Sequence, residues 1–207
     1  MRLKGKGPVH HLNRSSKARM IEAFFIKALG VPVAGMRILD IGCGNGQIGN
    51  HFAQNNDVVG VDIEDRTGGM GLAFKYLLIQ DENLPLDDAT FDLIISHHVI
   101  EHVNDQSRHL DEIRRALKPS GTAYIGCPNK DSPFMAGHIG NDSVLNAKEA
   151  EALFRLAGFT WQEMYTDFLS KPDTFFCDLK LGKYFPSFCI KLFKKWYPSH
   201  CYLLKPE

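Results

Sequence analysis

Three short apolar segments, residues 36–41, 58–61 and 76–79, carry an aspartate at or just after their carboxyl ends. These are Asp40, Asp62 and Asp81. Stretches with helical character separate such segments along the chain, and strands that alternate with helices form a parallel sheet covered on both faces. The carboxyl ends of parallel strands lie at one edge, where open α/β sheets bind ligands. The sequence therefore predicts one ligand site lined by these three aspartates.

The rest of the chain continues this alternation. Helices are predicted at residues 16–29, 47–54, 105–117 and 147–157, and strands at 91–96, 122–127, 160–165 and 200–204. Ser15 or Ser16 is expected to cap the first helix, and Gly30 with Pro32 to end it. A length of 207 residues suits one domain. The prediction is a single α/β domain, 1–207, with a helical cap at about 1–30 and an insert at about 168–198.

Charge and cysteine content exclude several kinds of protein. The 24 basic and 24 acidic residues cancel, so no global field favours nucleic acid. The five cysteines form no C-x-x-C pair, which argues against a disulfide framework and against a cysteine zinc site. No apolar run approaches the roughly 18 residues of a membrane span. We expect a soluble, cytoplasmic protein that does not bind nucleic acid.

The loop after the first strand, DIGCGNGQIG, fits two kinds of ligand. Gly44-Asn45-Gly46-Gln47-Ile48-Gly49 matches the G-x-G-x-x-G of dinucleotide enzymes, whose pyrophosphate binds backbone amides at a helix N-terminus. Asp40 instead places an acid two residues before the first glycine, where it would repel a diphosphate. S-adenosylmethionine carries a sulfonium and an ammonium, so a carboxylate suits it better. The charge of Asp40 favours this second ligand.

The next two acidic positions fit the adenosine part of such a ligand. Asp62 could accept hydrogen bonds from two ribose hydroxyls, as the matching acid of NAD enzymes does. Ile63 could cover one face of the adenine. Asp81 could accept from the adenine amino group, while the backbone amide of Glu82 approaches the ring. Three such acids after three consecutive strands are hard to explain as turn residues alone.

At this point the sequence resembles a known family. ILDIGCGNGQIG, QDENLPLDDATFDLIISHHVIEHV and LDEIRRALKPSGTAYIGCPN, within about residues 36–129, resemble class I S-adenosylmethionine-dependent methyltransferases of the type 11-like family, related to ubiquinone and menaquinone methyltransferases. The resemblance implies a Rossmann-like, doubly wound sheet of seven strands, mostly parallel, with an antiparallel last strand. It implies a cofactor site made by the residues Asp40, Gly42, Cys43, Gly44, Asp62, Ile63, Asp81, Glu82 and His97, with His97 on the methionine side. The run from Asp81 to Pro85 is one residue shorter than is usual in the family, which leaves open whether Asp81 or Glu82 faces the adenine.

A cluster of histidines, SHHVIEHV, follows the fourth strand, where the methyl group would emerge. Transfer to oxygen needs a base, and imidazole can accept a proton near neutral pH. His98 is the candidate catalytic base. A second interpretation uses helical spacing, which would let His98, Glu101 and His102 share a face and bind a metal, with zinc favoured over magnesium and His138 as a fourth ligand. A third interpretation makes Glu101 and His102 packing residues. No metal ion is assigned.

The acceptor is less defined than the cofactor. The six basic residues before Glu22 form either a solvated tail or a contact for an anionic substrate. Residues 185–197 combine lysines with aromatic residues at helical spacing, which suits a helix packed on the core, a lid, or a peripheral contact with a membrane. We expect O-methylation of a small-molecule, glycan or lipid-linked acceptor. Alternatives are a non-catalytic nucleotide-binding module or subunit and a nucleic-acid or protein methyltransferase, although the N-P-P-Y type tetrad of base N-methylation is missing after the fourth strand.

Overall fold

The computed structural model of the protein describes residues 14–68, 71–133, 143–164 and 199–207. Its helices are α1 (Arg14–Leu29), α2 (Gln47–Phe52), α3 (Gln106–Ala116) and α4 (Ala147–Leu156). Its strands are β1 (Arg37–Ile41), β2 (Asp57–Asp62), β3 (Lys75–Leu78), β4 (Phe91–His97), β5 (Leu117–Pro128), β6 (Phe159–Glu163) and β7 (Ser199–Pro206).

The strands form one sheet in the order β3-β2-β1-β4-β5-β7-β6. The pairs β1–β2, β2–β3, β1–β4 and β4–β5 are parallel, while β7 runs antiparallel to both β5 and β6. The strand order reverses between β1 and β4, and ligands bind in the crevice outside such a switch point. The predicted fold class, a doubly wound seven-stranded sheet with an antiparallel last strand, is confirmed.

Each face of the sheet carries its own apolar core. On one face, α1 and α2 bury Ile21, Phe25 and Phe52 against the sheet. On the other face, α3 and α4 bury Ile113 and Phe154. Helices α1 and α2 are also joined by a hydrogen bond between Glu22 Oε2 and His51 Nε2 at 2.8 Å. The helix predicted at residues 16–29 is confirmed as α1, and this packing fixes the start of α1 close to the glycine loop.

The ends of several elements differ from those predicted. Ser15 and Ser16 lie inside α1, so the predicted cap is wrong, whereas Gly30 ends the helix with φ +73°. β5 starts at Leu117, before the predicted turn, because Leu117 already pairs with Phe91 of β4. The register then shifts, so that Leu93 pairs with Thr122. β3 ends at Leu78, which leaves Asp81 three residues beyond the strand. A capping box at Asn146 starts α4, a signal that the sequence interpretation did not use.

Two of the glycines that suggested a dinucleotide loop make room for an aromatic ring. A Cβ atom on Gly46 would lie 2.4 Å from the Leu72 side chain and 3.3 Å from the Phe74 ring, and one on Gly49 would lie 2.6 Å from that ring. Gly60 of β2 borders the same ring, at 2.4 Å from the position of a Cβ. The second half of the glycine pattern is therefore explained by packing, and only its first half faces the ligand edge.

We expect Gly49→Ala to destabilise the protein although it adds a good helix former to α2. The helix-propensity gain is about 0.5–1 kcal/mol, whereas the contact with Phe74 is an overpacking that costs about 1–3 kcal/mol. Thermal unfolding should show a melting temperature a few degrees lower. Gly71→Ala is the control, because a Cβ there meets no atom within 4 Å. Adding Phe74→Leu to Gly49→Ala should restore part of the loss; an unchanged melting temperature for Gly49→Ala would contradict the packing explanation.

No helix among the described residues has both the length and the apolar character that crossing a bilayer requires. Residues 168–198, which include the predicted insert and the 185–197 segment, lie outside the described residues, as does His138. The domain organisation given above therefore stays a prediction.

Candidate active site

Asp40 lies near the end of β1 and is only 2% exposed. Its Oδ2 atom is buried and makes no hydrogen bond to any described residue. Burial raises the pKa of Asp40 to about 7, with the backbone amide of Gly49 opposing the shift and the charge of Asp62 adding to it. A buried carboxyl with an open oxygen is a site that a cation would complete, because a cation favours the ionised form.

The first two glycines of the loop face the carboxyl edge of the sheet. Gly42 has φ +66° and Gly44 has φ +56°, a region that side chains rarely adopt. A Cβ on Gly42 would lie 2.4 Å from Val99, and one on Gly44 would lie 2.6 Å from a guanidinium nitrogen of Arg14. The loop is therefore closed in by the segment after β4 on one side and by the first turn of α1 on the other.

Arg14 lies over this loop. Its Nη1 donates to Oδ1 of Asn45 at 2.6 Å. The remaining N–H groups of a guanidinium form a planar fork that suits a carboxylate. The sequence interpretation placed Arg14 among six basic residues of an anionic-substrate contact or a solvated tail. The structure places it beside Gly44, at the cofactor loop.

Asp62, at the end of β2, holds the loop in place. Its Oδ2 accepts a hydrogen bond from the Gly44 amide at 2.8 Å, and its Oδ1 accepts from the Glu64 amide at 3.1 Å. A carboxylate has about four acceptor positions, so two remain for further donors such as a pair of hydroxyls. Ile63 follows with 62% of its surface exposed, which leaves an apolar side chain free at this edge.

Cys43 turns inward instead of toward the crevice. It is 5% exposed, and its amide donates to the carbonyl of Val61 at 3.1 Å. Burial, followed by the charges of Asp40 and Asp62, raises the pKa of the Cys43 thiol to about 12. The side chain is therefore a protonated packing group, and any contact with a ligand at this position would come from the backbone.

The pair predicted for the adenine, Asp81 and Glu82, lies in the loop after β3. Asp81 is exposed, and its Oδ1 accepts from the Asn83 amide at 2.8 Å. The Glu82 carboxylate accepts from the amides of Asn104 at 2.5 Å and Asp105 at 3.4 Å. Glu82 thus ties this loop to the approach of α3. Its side chain is engaged there, while the Asp81 carboxylate keeps open acceptor positions.

His98 follows β4 in a left-handed conformation with φ +58°. For a residue other than glycine this conformation costs energy and is concentrated at functional sites. Its Nδ1 lies 3.0 Å from Oε1 of Glu101, and its Nε2 lies 3.3 Å from the hydroxyl oxygen of Ser199. Since a carboxylate only accepts, Nδ1 carries the hydrogen and the Nε2 lone pair faces the hydroxyl. His98 is therefore oriented so that its Nε2 can accept a proton from a hydroxyl group.

The metal interpretation receives no support from the described residues. Residues 98–102 form a turn, so the helical spacing assumed for them is wrong. His102 Nε2 lies 3.9 Å from Glu101 Oε1, and the His102 side chain is 71% exposed. No group of three or more ligand-type side chains in the described ranges could hold a metal ion.

His97, the last residue of β4, is partly buried, and its ring stacks on the ring of Tyr124. Its Nδ1 lies 3.1 Å from the hydroxyl of Tyr124. Its Nε2 is buried and has no hydrogen-bond partner in the described part of the chain. Burial lowers the pKa of His97 well below its usual range, and the charges of His98, Lys17 and Arg14 act in the same direction. His97 is therefore neutral near pH 7.

Comparison with known proteins identifies the kind of domain that this site belongs to. Residues 39–125 match the family model described as a methyltransferase domain. Over 138 residues the chain is 32% identical to a probable S-adenosylmethionine-dependent methyltransferase of Mycolicibacterium smegmatis. The aligned segment covers 61% of this chain and 52% of that protein. Residues 39–125 of this chain are therefore a methyltransferase domain, similar to those of S-adenosylmethionine-dependent methyltransferases. The chain spans about half the length of the curated relatives that it matches.

Two further similarities agree with this assignment. A ubiquinone biosynthesis O-methyltransferase of Cereibacter sphaeroides is 31% identical over 138 residues, which cover 60% of this chain and 56% of the relative. The crystal structure of a SAM-dependent methyltransferase from Archaeoglobus fulgidus aligns with a TM-score of 0.65 at 17% identity, covering 91% of this chain and 94% of that one. The structural likeness supports the fold alone.

The residues present fit the cofactor of this family, S-adenosylmethionine. The open oxygen of buried Asp40 suits a cationic group, the free positions on Asp62 suit hydroxyls, and the fork of Arg14 suits a carboxylate. Sequence interpretation gave the first two. It did not single out Arg14, Tyr124 or Ser199, because their contacts with Asn45, His97 and His98 join positions at least 27 residues apart.

Proposed function

We propose that this methyltransferase transfers a methyl group from S-adenosylmethionine to an oxygen atom of a small-molecule acceptor, with His98 as the base. The observation that carries the proposal is the pair of contacts made by His98. Glu101 accepts from Nδ1, and the hydroxyl of Ser199 lies against Nε2. The chain thus already presents a hydroxyl to the lone pair that would take the proton of an acceptor.

Glu101 acts on this histidine as an orienting group. Its side chain is 6% exposed, so the carboxylate lies in a medium where its attraction for the Nδ1 hydrogen is weakly screened. It fixes the ring orientation and stabilises the imidazolium that forms when Nε2 gains a proton. The left-handed backbone of His98 and the bond from its amide to the carbonyl of Gly126 at 2.7 Å hold the ring at the edge of the sheet.

The cofactor would be held through its polar ends. Asp62 would accept from the ribose hydroxyls, Asp40 would face the ammonium, and Arg14 would pair with the methionine carboxylate. The exposed side chain of Ile63 would cover the adenine, with Asp81 as the acceptor for its amino group. His97 stays a predicted neighbour of the methionine side.

When bound, S-adenosylmethionine would supply an electrophilic methyl group attached to a sulfonium. Loss of that methyl group leaves the sulfur as a neutral thioether. The residues of the chain align the acceptor oxygen with that carbon and exclude water, which is the larger part of catalysis in such displacements. As the oxygen–carbon bond forms, the hydroxyl proton passes to Nε2 of His98. The imidazolium then releases this proton to solvent through its partly exposed side.

Relatives favour oxygen as the acceptor atom. Several curated relatives at about 30% identity are ubiquinone biosynthesis O-methyltransferases. Their substrates are their own, and the shared segment covers about half of each protein. The zero net charge of the chain favours a small molecule over nucleic acid.

A transfer assay tests the proposal. The protein would be incubated with methyl-labelled S-adenosylmethionine and a panel of phenols, sugars and lipid-linked alcohols. We expect label on an acceptor oxygen, with one demethylated cofactor formed for each methyl transferred. Label on nitrogen or carbon alone, or tight cofactor binding without transfer to any compound, would contradict the proposal.

A cytoplasmic location stays a prediction. A peripheral contact with membranes through residues 185–197 also stays a prediction, because that segment lies outside the described residues. Flotation with vesicles containing anionic lipid, compared between the parent protein and Trp196→Glu, addresses the second of them. We expect the parent to float and the variant to float less; a parent that stays at the bottom would contradict the membrane contact.

A further inference from the structure

A chain of three polar side chains joins the neighbouring strands β7, β5 and β4. The Cys201 sulfur lies 3.3 Å from the hydroxyl oxygen of Tyr124, which lies 3.1 Å from Nδ1 of His97. Tyr124 is fully buried, and its ring stacks on Phe24 of α1 at 6.3 Å between centroids. A Cβ on Gly126 would lie 2.5 Å from His97 Nδ1 and 2.6 Å from the Tyr124 oxygen, so the glycine leaves the space for this chain.

The direction of the hydrogen bonds follows from the acceptors. Burial raises the pKa of Tyr124 well above its usual value and that of the Cys201 thiol to about 11, so both groups keep their hydrogens. An imidazole nitrogen accepts a hydroxyl hydrogen well, whereas sulfur is a weak acceptor. Tyr124 therefore donates to Nδ1 of His97, and the Cys201 thiol donates to the Tyr124 oxygen. A neutral imidazole that accepts at Nδ1 carries its hydrogen on Nε2.

The pleat of the sheet places His97 on the same face as Asp40. Side chains two residues apart on a strand share a face, and Leu93 and Ile95 of β4 lie in the core that α1 and α2 cover. Asp40 pairs with Ile95, and Ile38, two residues before Asp40, lies in that same core. His97 is therefore the next side chain after Ile95 on this face, at the carboxyl edge of the sheet and diagonally adjacent to Asp40.

The Nε2–H of His97 needs an acceptor. This nitrogen is buried and has no hydrogen-bond partner among the described residues. The methionine part of S-adenosylmethionine carries a sulfonium and an ammonium, which accept no hydrogen bonds, and a carboxylate, which accepts several. An Nε2–H can therefore bind the carboxylate, whereas an Nε2 lone pair would suit the ammonium. The tautomer of His97 thus decides which end of the methionine group it can hold.

We propose that Tyr124 is a positioning residue that fixes His97 as an Nε2–H donor to the methionine carboxylate of the cofactor. Tyr124 acts only through the imidazole. Its hydrogen bond to Nδ1 excludes the tautomer that would face the ammonium, which is left to Asp40. Arg14, at the glycine loop, holds the same carboxylate, which has about four acceptor positions. The inference rests on the proposed function, since this carboxylate belongs to the cofactor of that reaction.

Nitrogen-15 NMR of the imidazoles tests the tautomer. In the parent, His97 should carry its hydrogen on Nε2, and Tyr124→Phe should show a mixture of the two tautomers. Tyr202→Phe is the matched control, because Tyr202 is equally buried but packs on Phe154 in the core on the other face of the sheet. His97 should keep its tautomer in that variant. The parent tautomer persisting in Tyr124→Phe would overturn the positioning role.

Calorimetry with three probes measures the consequence for binding. S-adenosylhomocysteine has the carboxylate and the ammonium, 5′-(3-aminopropylthio)-5′-deoxyadenosine keeps only the ammonium, and 5′-methylthioadenosine lacks both. Tyr124→Phe should lose about threefold to tenfold in affinity for S-adenosylhomocysteine, the effect of one neutral hydrogen bond. Its affinities for the other two probes should stay unchanged. Tyr202→Phe should bind all three as the parent does.

Two replacements of His97 separate a donor from a side chain that only fills space. The amide nitrogen of glutamine reaches about as far from the backbone as Nε2, whereas that of asparagine reaches only as far as Nδ1. His97→Asn should lose at least about tenfold in affinity for S-adenosylhomocysteine, because a hydrogen bond to a charged group is lost. His97→Gln should retain most of it. Adding Tyr124→Phe to His97→Asn should cause no further loss.

Two results would overturn the contact with the carboxylate. One is an affinity for S-adenosylhomocysteine that neither Tyr124→Phe nor His97→Asn lowers, and the other is an equal loss for all three probes. If the parent binds neither S-adenosylhomocysteine nor 5′-methylthioadenosine, the proposed function fails instead, so the two failures are distinguishable.

Discussion

Replacing His98 by asparagine is expected to lower kcat by about 10²–10⁴-fold, the usual contribution of a positioned general base. Asparagine tolerates the left-handed backbone at this position better than most residues do, so the variant should fold. The affinity for S-adenosylhomocysteine should change by less than about twofold, because His98 acts on the acceptor. Steady-state kinetics on the acceptor found by the transfer assay, together with calorimetry, separate the two effects.

His102→Asn is the matched control for this prediction. Its side chain is 71% exposed and 3.9 Å from Glu101, so kcat should stay within about twofold of the parent value. Equal losses in both variants, or a full kcat in His98→Asn, would show that His98 is not the base. An activity that a chelator abolishes and zinc restores would instead support a metal ion bound by His98, Glu101 and His102.

The second large effect is expected at Asp62. Asp62→Asn replaces a charged acceptor by an amide, which weakens two predicted bonds to the ribose and the observed bond to the Gly44 amide. Hydrogen bonds to charged groups are each worth about 1.5–3 kcal/mol, so we expect a loss of affinity of at least about 100-fold. Because the ribose is common to S-adenosylhomocysteine and 5′-methylthioadenosine, calorimetry should show a similar loss for both.

Asp65→Asn serves as the control for Asp62→Asn. Asp65 is exposed, and its Oδ1 accepts from the amide and hydroxyl of Thr67, within its own turn. Its replacement should leave both affinities unchanged. If Asp62→Asn bound both adenosine compounds as tightly as the parent, Asp62 would be only a structural tie for the loop.

Much of the fold could be predicted from the sequence because it depends on local patterns. Apolar runs that end in Asp40 and Asp62, with helical spacing between and after them, suffice to predict a parallel sheet and a ligand edge. The predicted ends of the strands were less accurate. The register shift near Phe91, for example, depends on pairing between β4 and β5, which no local pattern encodes. The contacts that require glycine at positions 46 and 49, with Leu72 and Phe74, are also tertiary.

The site was predictable to the extent that each residue acts through its position on a strand. Asp40, Asp62 and His98 lie at strand ends, and the predicted edge brings them together. Arg14 and Ser199 reach the site from the two ends of the chain, so only the folded structure shows that they contact Asn45 and His98. The pattern that spaced His98, Glu101 and His102 as a helix was misleading, since this segment is a turn.

Ionisation of the buried Asp40 lowers the stability of the free protein, and a bound cofactor would offset this loss. Its folded pKa of about 7 is above the ordinary aspartate value of 3.8, so the folded state binds this proton more tightly than the unfolded chain. The contribution of Asp40 to stability is therefore most favourable at low pH and declines as the pH rises through about 7. A bound cation would favour the ionised carboxylate and reverse this preference, which links cofactor affinity to pH.

Calorimetric titration with S-adenosylhomocysteine between pH 6 and pH 8, for the parent and for Asp40→Asn, tests this linkage most directly. If the carboxylate of Asp40 holds the ammonium, the parent affinity should rise by up to about tenfold over this range, because a group with a pKa of about 7 goes from about one-tenth to about nine-tenths ionised. The affinity of Asp40→Asn should be lower at pH 8 and should vary less with pH. A parent affinity that is independent of pH and equal to that of Asp40→Asn would contradict the account.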